Sequence, residues 1–164
     1  MAILEIKKFN DPVLRKRCES VKKIDRDIKK FVVDIAQTMK KNKGNGLAAP
    51  QVGVLKRIIV VQADLENQHI LGLINPIILE TSRKKKKNIE GCLSFPGIFL
   101  KIKRATKIEV EGLDIRGKKI KLEAKGLLAR VFQHEIDHLD GILFFKRLNF
   151  LQKIKFKLKY PSIY

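Results

Sequence analysis

Residues 133–141 read Gln-His-Glu-Ile-Asp-His-Leu-Asp-Gly, and the chain's most chemically capable side chains gather there. On a helix His134 and His138 stand four apart and share one face, so two imidazoles can grip one metal ion with Glu135 beside them as a proton carrier. The chain has only three histidines and two of them fall in this run, which favours a metal site over chance composition of a long helix. The chemistry indicated is metal-assisted hydrolysis.

A catalytic site of this kind takes three protein ligands and keeps one position open. The metzincin continuation His-Glu-x-x-His-x-x-Gly-x-x-His is followed as far as Gly141 and then fails, because Phe144 stands where the third histidine belongs. A carboxylate ligand from further downstream, as in thermolysin-like peptidases, is also excluded: residues 141–164 contain no Asp, Glu or His. The third ligand must therefore come from upstream, where Cys92, Cys18 and His69 are the candidates.

At 164 residues and 45% hydrophobic content, the chain is expected to form one domain, residues 1–164, with its own core. Two cysteines make no disulfide framework and the first residues lack a secretory apolar run, so a reducing, cytoplasmic setting is expected. No apolar run approaches the roughly 18 residues of a membrane span, and no membrane partner is expected. The formal charge of +19, from 36 Lys and Arg against 17 Asp and Glu, creates a field that attracts RNA, anionic membranes or other acidic surfaces. A merely solvated Lys-rich surface has the same composition, so charge alone names no partner.

The elements that must position the histidines can be read in order. Asp11 and Pro12 mark a short helix start, and residues 25–41 form an amphipathic helix through Ile28, Phe31, Val32, Ile35 and Met39, capped by Asp25. Residues 57–63 and 70–79 read as strands joined at Asn67 and Gln68, with His69 a surface or packing residue. Residues 84–87 read as a charged, solvated loop, and residues 90–97 as an irregular segment that can aim the Cys92 thiol. Ile108 and Val110 alternate with charged residues, as do Ile120 and Leu122, which makes a hairpin turning at residues 114–118. A buried helix over residues 124–138 carries the histidines, and the tail from Asn149 favours a helix over a strand.

Three stretches together carry a resemblance. Gly44-Asn45-Gly46-Leu47-Ala48-Ala49-Pro50-Gln51, Glu90-Gly91-Cys92-Leu93-Ser94 and Gln133-His134-Glu135-Ile136-Asp137-His138 resemble, in this order, the three signatures of the peptide deformylase family. The match spans nearly the whole chain. It implies an α+β fold, with antiparallel β-sheets packed around a central metal-binding helix, an N-terminal helix and a C-terminal one. It also implies removal of the formyl group from N-formylmethionine on nascent polypeptides, with release of formate.

The resemblance assigns Cys92, His134 and His138 as metal ligands, with Fe²⁺ native and Zn²⁺, Ni²⁺ or Co²⁺ able to substitute. A bound divalent metal lowers the pKa of water from ~15.7 toward ~7, which makes hydroxide available at neutral pH. Glu135 then shuttles the proton, the Gln51 side-chain amide and the Leu93 backbone N–H steady the developing oxyanion, and Gly46 lets the substrate backbone run along the cleft. Val131 is expected to line the methionine pocket, and a Glu90–Arg104 ion pair to brace the cysteine segment. The chain departs from the first signature at Asn45, a position that is usually apolar. Expected partners are N-formylmethionyl peptides and the ribosome, met through the basic surface and C-terminal tail, with the chain itself a monomer. An endopeptidase built on the same histidine motif, or an inactive RNA-binding module, is the rival reading.

Overall fold

A computed structural model of the chain describes residues 2–64 and 69–163. Helix α1, Arg26–Lys41, begins where the Asp25 side chain accepts a hydrogen bond from the Ile28 amide at 3.0 Å, the cap its sequence predicts. Strand β1, Gly46–Ala48, is short and runs directly into a 3-10 turn, Ala49–Val52, so the small-residue stretch is neither all strand nor all helix. Strands β2, Ile58–Asp64, and β3, His69–Thr81, follow; the connection expected at Asn67 and Gln68 lies outside the described residues.

Strands β4, Lys85–Cys92, and β5, Phe95–Ala105, form a two-stranded antiparallel sheet. This corrects the loop expected at 84–87: Lys85, Lys86 and Lys87 pair with Ala105, Arg104 and Lys103. Strand pairing is made by the backbone, and on a small sheet exposed to water it tolerates a run of lysines that side-chain patterning reads as a loop. The segment holding Cys92 is likewise more regular than expected. It is the last residue of β4, pairing with Phe95 beyond a register shift at Glu90.

Strands β6, Lys107–Leu113, and β7, Lys119–Lys125, make the expected hairpin, and all neighbours in the five-stranded order β1-β2-β3-β6-β7 run antiparallel. Helix α2 is Gly126–Leu139, so the helix expected from residue 124 starts later. Ala124 still pairs with Ile108 in the sheet, and Gly126 takes φ +58, a left-handed conformation that glycine accepts without strain and that breaks strand from helix. Beyond α2 come a 3-10 turn, Phe144–Arg147, and helix α3, Phe150–Lys159, as favoured for the tail.

The sheet is covered on both faces. In β2, Ile58 and Val60 pack with Ile35 and Met39 of α1, while Ile59 and Val61 pack with Ala129, Phe132 and Ile136 of α2. Four consecutive β-branched residues are buried because alternate side chains meet different helices. A third apolar cluster, with Phe95, Ile102, Phe144 and Phe145, joins the β4–β5 sheet to the segment after α2. Among the described residues no helix is long and apolar enough to cross a membrane.

Candidate metal centre

Helical periodicity delivers the two histidines. His134 and His138 lie side by side on α2 with ring centroids 4.9 Å apart, and both are buried. The end of β4 brings Cys92 to them, placing its Sγ 3.2 Å from His138 Nε2. One donor atom from each of Cys92, His134 and His138 lies within 4.8 Å of the others, the one such group of metal-binding side chains among the described residues. The other candidates stand elsewhere: His69 is exposed on β3, and Cys18 is buried in the core, where desolvation pushes its thiol up to about 11.

The donors suit a divalent transition ion, since imidazole and thiolate together are the soft-to-borderline set such ions prefer. His134 Nδ1 is tied to Glu90 Oε2 at 3.1 Å, which leaves Nε2 to serve as ligand and fixes the ring. Burial works against charge on His134, yet its hydrogen bonds with Cys92 and Glu90 hold its pKa well above the usual value, so a metal at this site must displace a proton from the ring. In His138, burial and the positive charges of His134 and Arg104 push the pKa well down, leaving a neutral ring able to ligate.

Glu90 is the hub of the surrounding hydrogen bonds. Its carboxylate takes a two-pronged contact from Arg104, at 3.0 and 3.1 Å, and a further bond from Arg130. Burial opposes its charge, but the hydrogen bonds of His134 and Arg104 prevail and hold its pKa down at about 2. Arg104 also reaches Asp137, which Arg147 grips from the other side. The expected Glu90–Arg104 pair is thus present, within a larger array that sequence reasoning missed. Arg130 lies one turn before His134, and Asp137 interrupts an apolar helix, so buried charge at helical spacing was the available signal.

Glu135 faces the cleft from the middle of α2. Burial lifts its pKa to about 7, and its Oε2 has no hydrogen-bond partner among the described residues. Gly46 crosses so near that a Cβ there would fall 2.5 Å from Glu135 Oε1. Gln51 is also buried. Its Oε1 accepts from the Ala48 amide at 2.9 Å, which turns its Nε2 toward Ser94 Oγ at 3.2 Å and Cys92 Sγ at 3.4 Å. Ser94, which orients Gln51, was also missed. A cavity of about 560 Å³ opens over these groups, with Leu93 and Val131 in its wall and the exposed Asn45 at its edge.

A model of the family described as polypeptide deformylase matches residues 3–154. The chain belongs to the polypeptide deformylase family. A peptide deformylase of Thermodesulfovibrio yellowstonii is 49% identical over 164 residues, 99% of each chain. Among solved structures, the peptide deformylase of Thermus thermophilus superposes with a TM-score of 0.92 at 39% identity, covering 98% of this chain and 95% of that one. The Synechococcus elongatus peptide deformylase, solved in complex with actinonin, gives 0.89 at 40% identity over 98% and 89% of the two chains. Deformylases are metal-dependent enzymes acting on formylated peptides, and the α+β fold implied by the three signatures is the one these relatives share.

Removing the charge of Glu90 should leave Arg104 and Arg130 underpaired in the deformylase interior. Glu90→Gln is expected to lower unfolding free energy by about 3 kcal/mol and to reduce retained metal, read by denaturant titration and elemental analysis. An unchanged midpoint with full metal content would remove Glu90 from its place as hub.

Proposed function

We infer that this chain hydrolyses the formyl group from N-formylmethionine at the start of nascent polypeptides and releases formate. The observation that carries this reading is the convergence of Cys92, His134 and His138 within 4.8 Å beside a buried carboxylate, in a chain of this family. Cys92, His134 and His138 would hold the metal, with Fe²⁺ the native ion and Zn²⁺, Ni²⁺ or Co²⁺ able to replace it. When bound, the metal supplies Lewis-acid polarisation and lowers the pKa of water.

The chain's own residues supply the rest. Glu135 accepts a proton from the attacking water and returns it to the departing amine nitrogen as the C–N bond breaks; its raised pKa, near neutrality, suits both transfers. The Gln51 amide, held by Ala48 and Ser94, and the Leu93 N–H donate to the oxygen on which negative charge builds. Gly46 gives Glu135 room and leaves a bare backbone along which the peptide can lie. Val131 offers the methionine side chain an apolar wall, while Glu90 and Arg104 keep His134 and the end of β4 in place. Residues 1–164 act as one catalytic unit, a monomer working in the cytoplasm. The charge of +19, together with the lysines of the C-terminal tail, draws it toward the RNA-rich ribosome where its substrates emerge.

An Ala at position 46 would displace Glu135, and a misplacement near 1 Å is expected to cost roughly 100-fold in formate release. Gly46→Ala should therefore bind metal normally yet lose rate; wild-type kinetics in this variant would contradict the packing. Anaerobically purified wild type should carry iron and release formate from formyl-Met-Ala, and Cys92→Ala should lose both. Formate release by a metal-free Cys92→Ala protein, or cleavage of unformylated peptides by wild type, would sink the reading. Ribosome co-sedimentation should weaken as salt rises, and a salt-independent association would contradict the electrostatic account.

A further inference from the structure

The β4–β5 sheet has two unlike faces. Glu90, Ile102 and Arg104 are buried on one, and alternation sends Lys85, Lys87 and Ile89 of β4 with Phe99, Lys101 and Lys103 of β5 to the other, where all six are exposed. Lys87 stands directly opposite Lys103, a like-charged cross-strand pair that costs stability. The one acidic residue between positions 85 and 105 is the buried Glu90, and none of the four exposed lysines makes an ion pair among the described residues. The β6–β7 hairpin is also rich in lysine but is arranged otherwise. There Lys107 and Lys125 both reach Glu123, Lys119 reaches Glu111 at 2.9 Å and Lys121 reaches Glu109 at 3.0 Å. A general excess of lysine therefore does not account for the uncompensated β4–β5 face. At its cleft end Phe99, 68% exposed, lies so close over Gly91 that a Cβ there would fall 2.8 Å from the ring, beside Ile89 at the rim of the cavity.

We propose that the outer face of the β4–β5 sheet binds single-stranded RNA, with Lys85, Lys87, Lys101 and Lys103 on successive phosphates and Phe99 under a base. Alternate residues stand about 7 Å apart along each strand and opposed residues about 5 Å apart across the pair. Cations set so closely call for a partner that carries charge on every unit. A nucleic-acid backbone has one on each nucleotide, whereas a polypeptide would need an unbroken run of acidic residues. The exposed aromatic ring selects an unpaired strand, because bases held in a duplex cannot stack on it. The choice of RNA rests on the function proposed above, in which the enzyme meets nascent chains where RNA is abundant. None of the six residues is a metal ligand, so a strand held on this face orients the cleft and takes no part in the hydrolysis.

The test is fluorescence anisotropy of a labelled uridine oligoribonucleotide of about 12 nucleotides, titrated with the full chain at several salt concentrations. Wild type should bind, and more weakly as salt rises. The combined variant Lys85→Gln, Lys87→Gln, Lys101→Gln and Lys103→Gln should lose about tenfold or more in affinity, with the slope of log affinity against log salt smaller by about 3. It should release formate from a soluble formyl peptide at the wild-type rate. Lys87→Gln with Lys103→Gln should change the slope by half as much and unfold no earlier than wild type, since it removes the opposed charges. Phe99→Ala should weaken binding about fivefold or more at an unchanged slope. No binding by wild type, wild-type affinity and slope in the lysine variants, or tighter binding of polyglutamate than of the oligonucleotide overturns the proposal. So does a loss that follows only from deleting residues 149–164, which would assign the RNA contact to the tail. Wild type that binds the oligonucleotide through these lysines yet does not co-sediment with ribosomes supports the surface and refutes the ribosome reading instead.

Discussion

The buried carboxylate of Glu90 is the constraint on which the rest of the molecule depends. An isolated charge in a protein interior is costly, and this one is tolerated only because Arg104, Arg130 and His134 surround it. Those partners come from β5 and from two successive turns of α2, so satisfying one side chain pins a small sheet to the central helix. Cys92 stands two residues beyond Glu90, and the same bonds that neutralise the carboxylate bring the thiol to the histidines. Ligand geometry and charge compensation are a single arrangement.

A second constraint is closeness of backbone to helix. Strand β1 can pass beside Glu135 because residue 46 has no side chain, and the 3-10 turn that follows directs Gln51 back at Cys92. The five-stranded sheet supplies the rigidity. Its β2 strand is buried on both faces, clamped by α1 and α2, so residues that must be placed to a fraction of an ångström are mounted on elements with little freedom to move.

The surface is organised differently from the interior. Inside, each carboxylate of the array beside the metal centre meets at least two cations. Outside, the excess of lysine has few acids to pair with, and on β4 and α3 it accumulates in runs. Lysine is well solvated there, and the same runs create a long-range field that selects for acidic neighbours.

What could be read directly was whatever depends on local periodicity and on residue type. The spacing of His134 and His138, the α1 stripe with its Asp25 cap, the 107–125 hairpin and the three signature stretches belong to that class, because a helix or strand repeat is written in neighbouring residues. The lysine strand at 85–87, the strand β5 and the start of α2 at Gly126 were not legible. Backbone pairing leaves little mark on exposed side chains, and a left-handed glycine at a strand-to-helix join has no periodic signature. Likewise, chemistry alone left Cys92, Cys18 and His69 as candidate third ligands, and family resemblance singled out Cys92. Tertiary structure decided that Cys92 stands beside the histidines, that Arg130 and Asp137 join the charged array, and that Ser94 orients Gln51. Each depends on contacts between elements far apart in the chain, and such contacts are fixed only when the whole core packs.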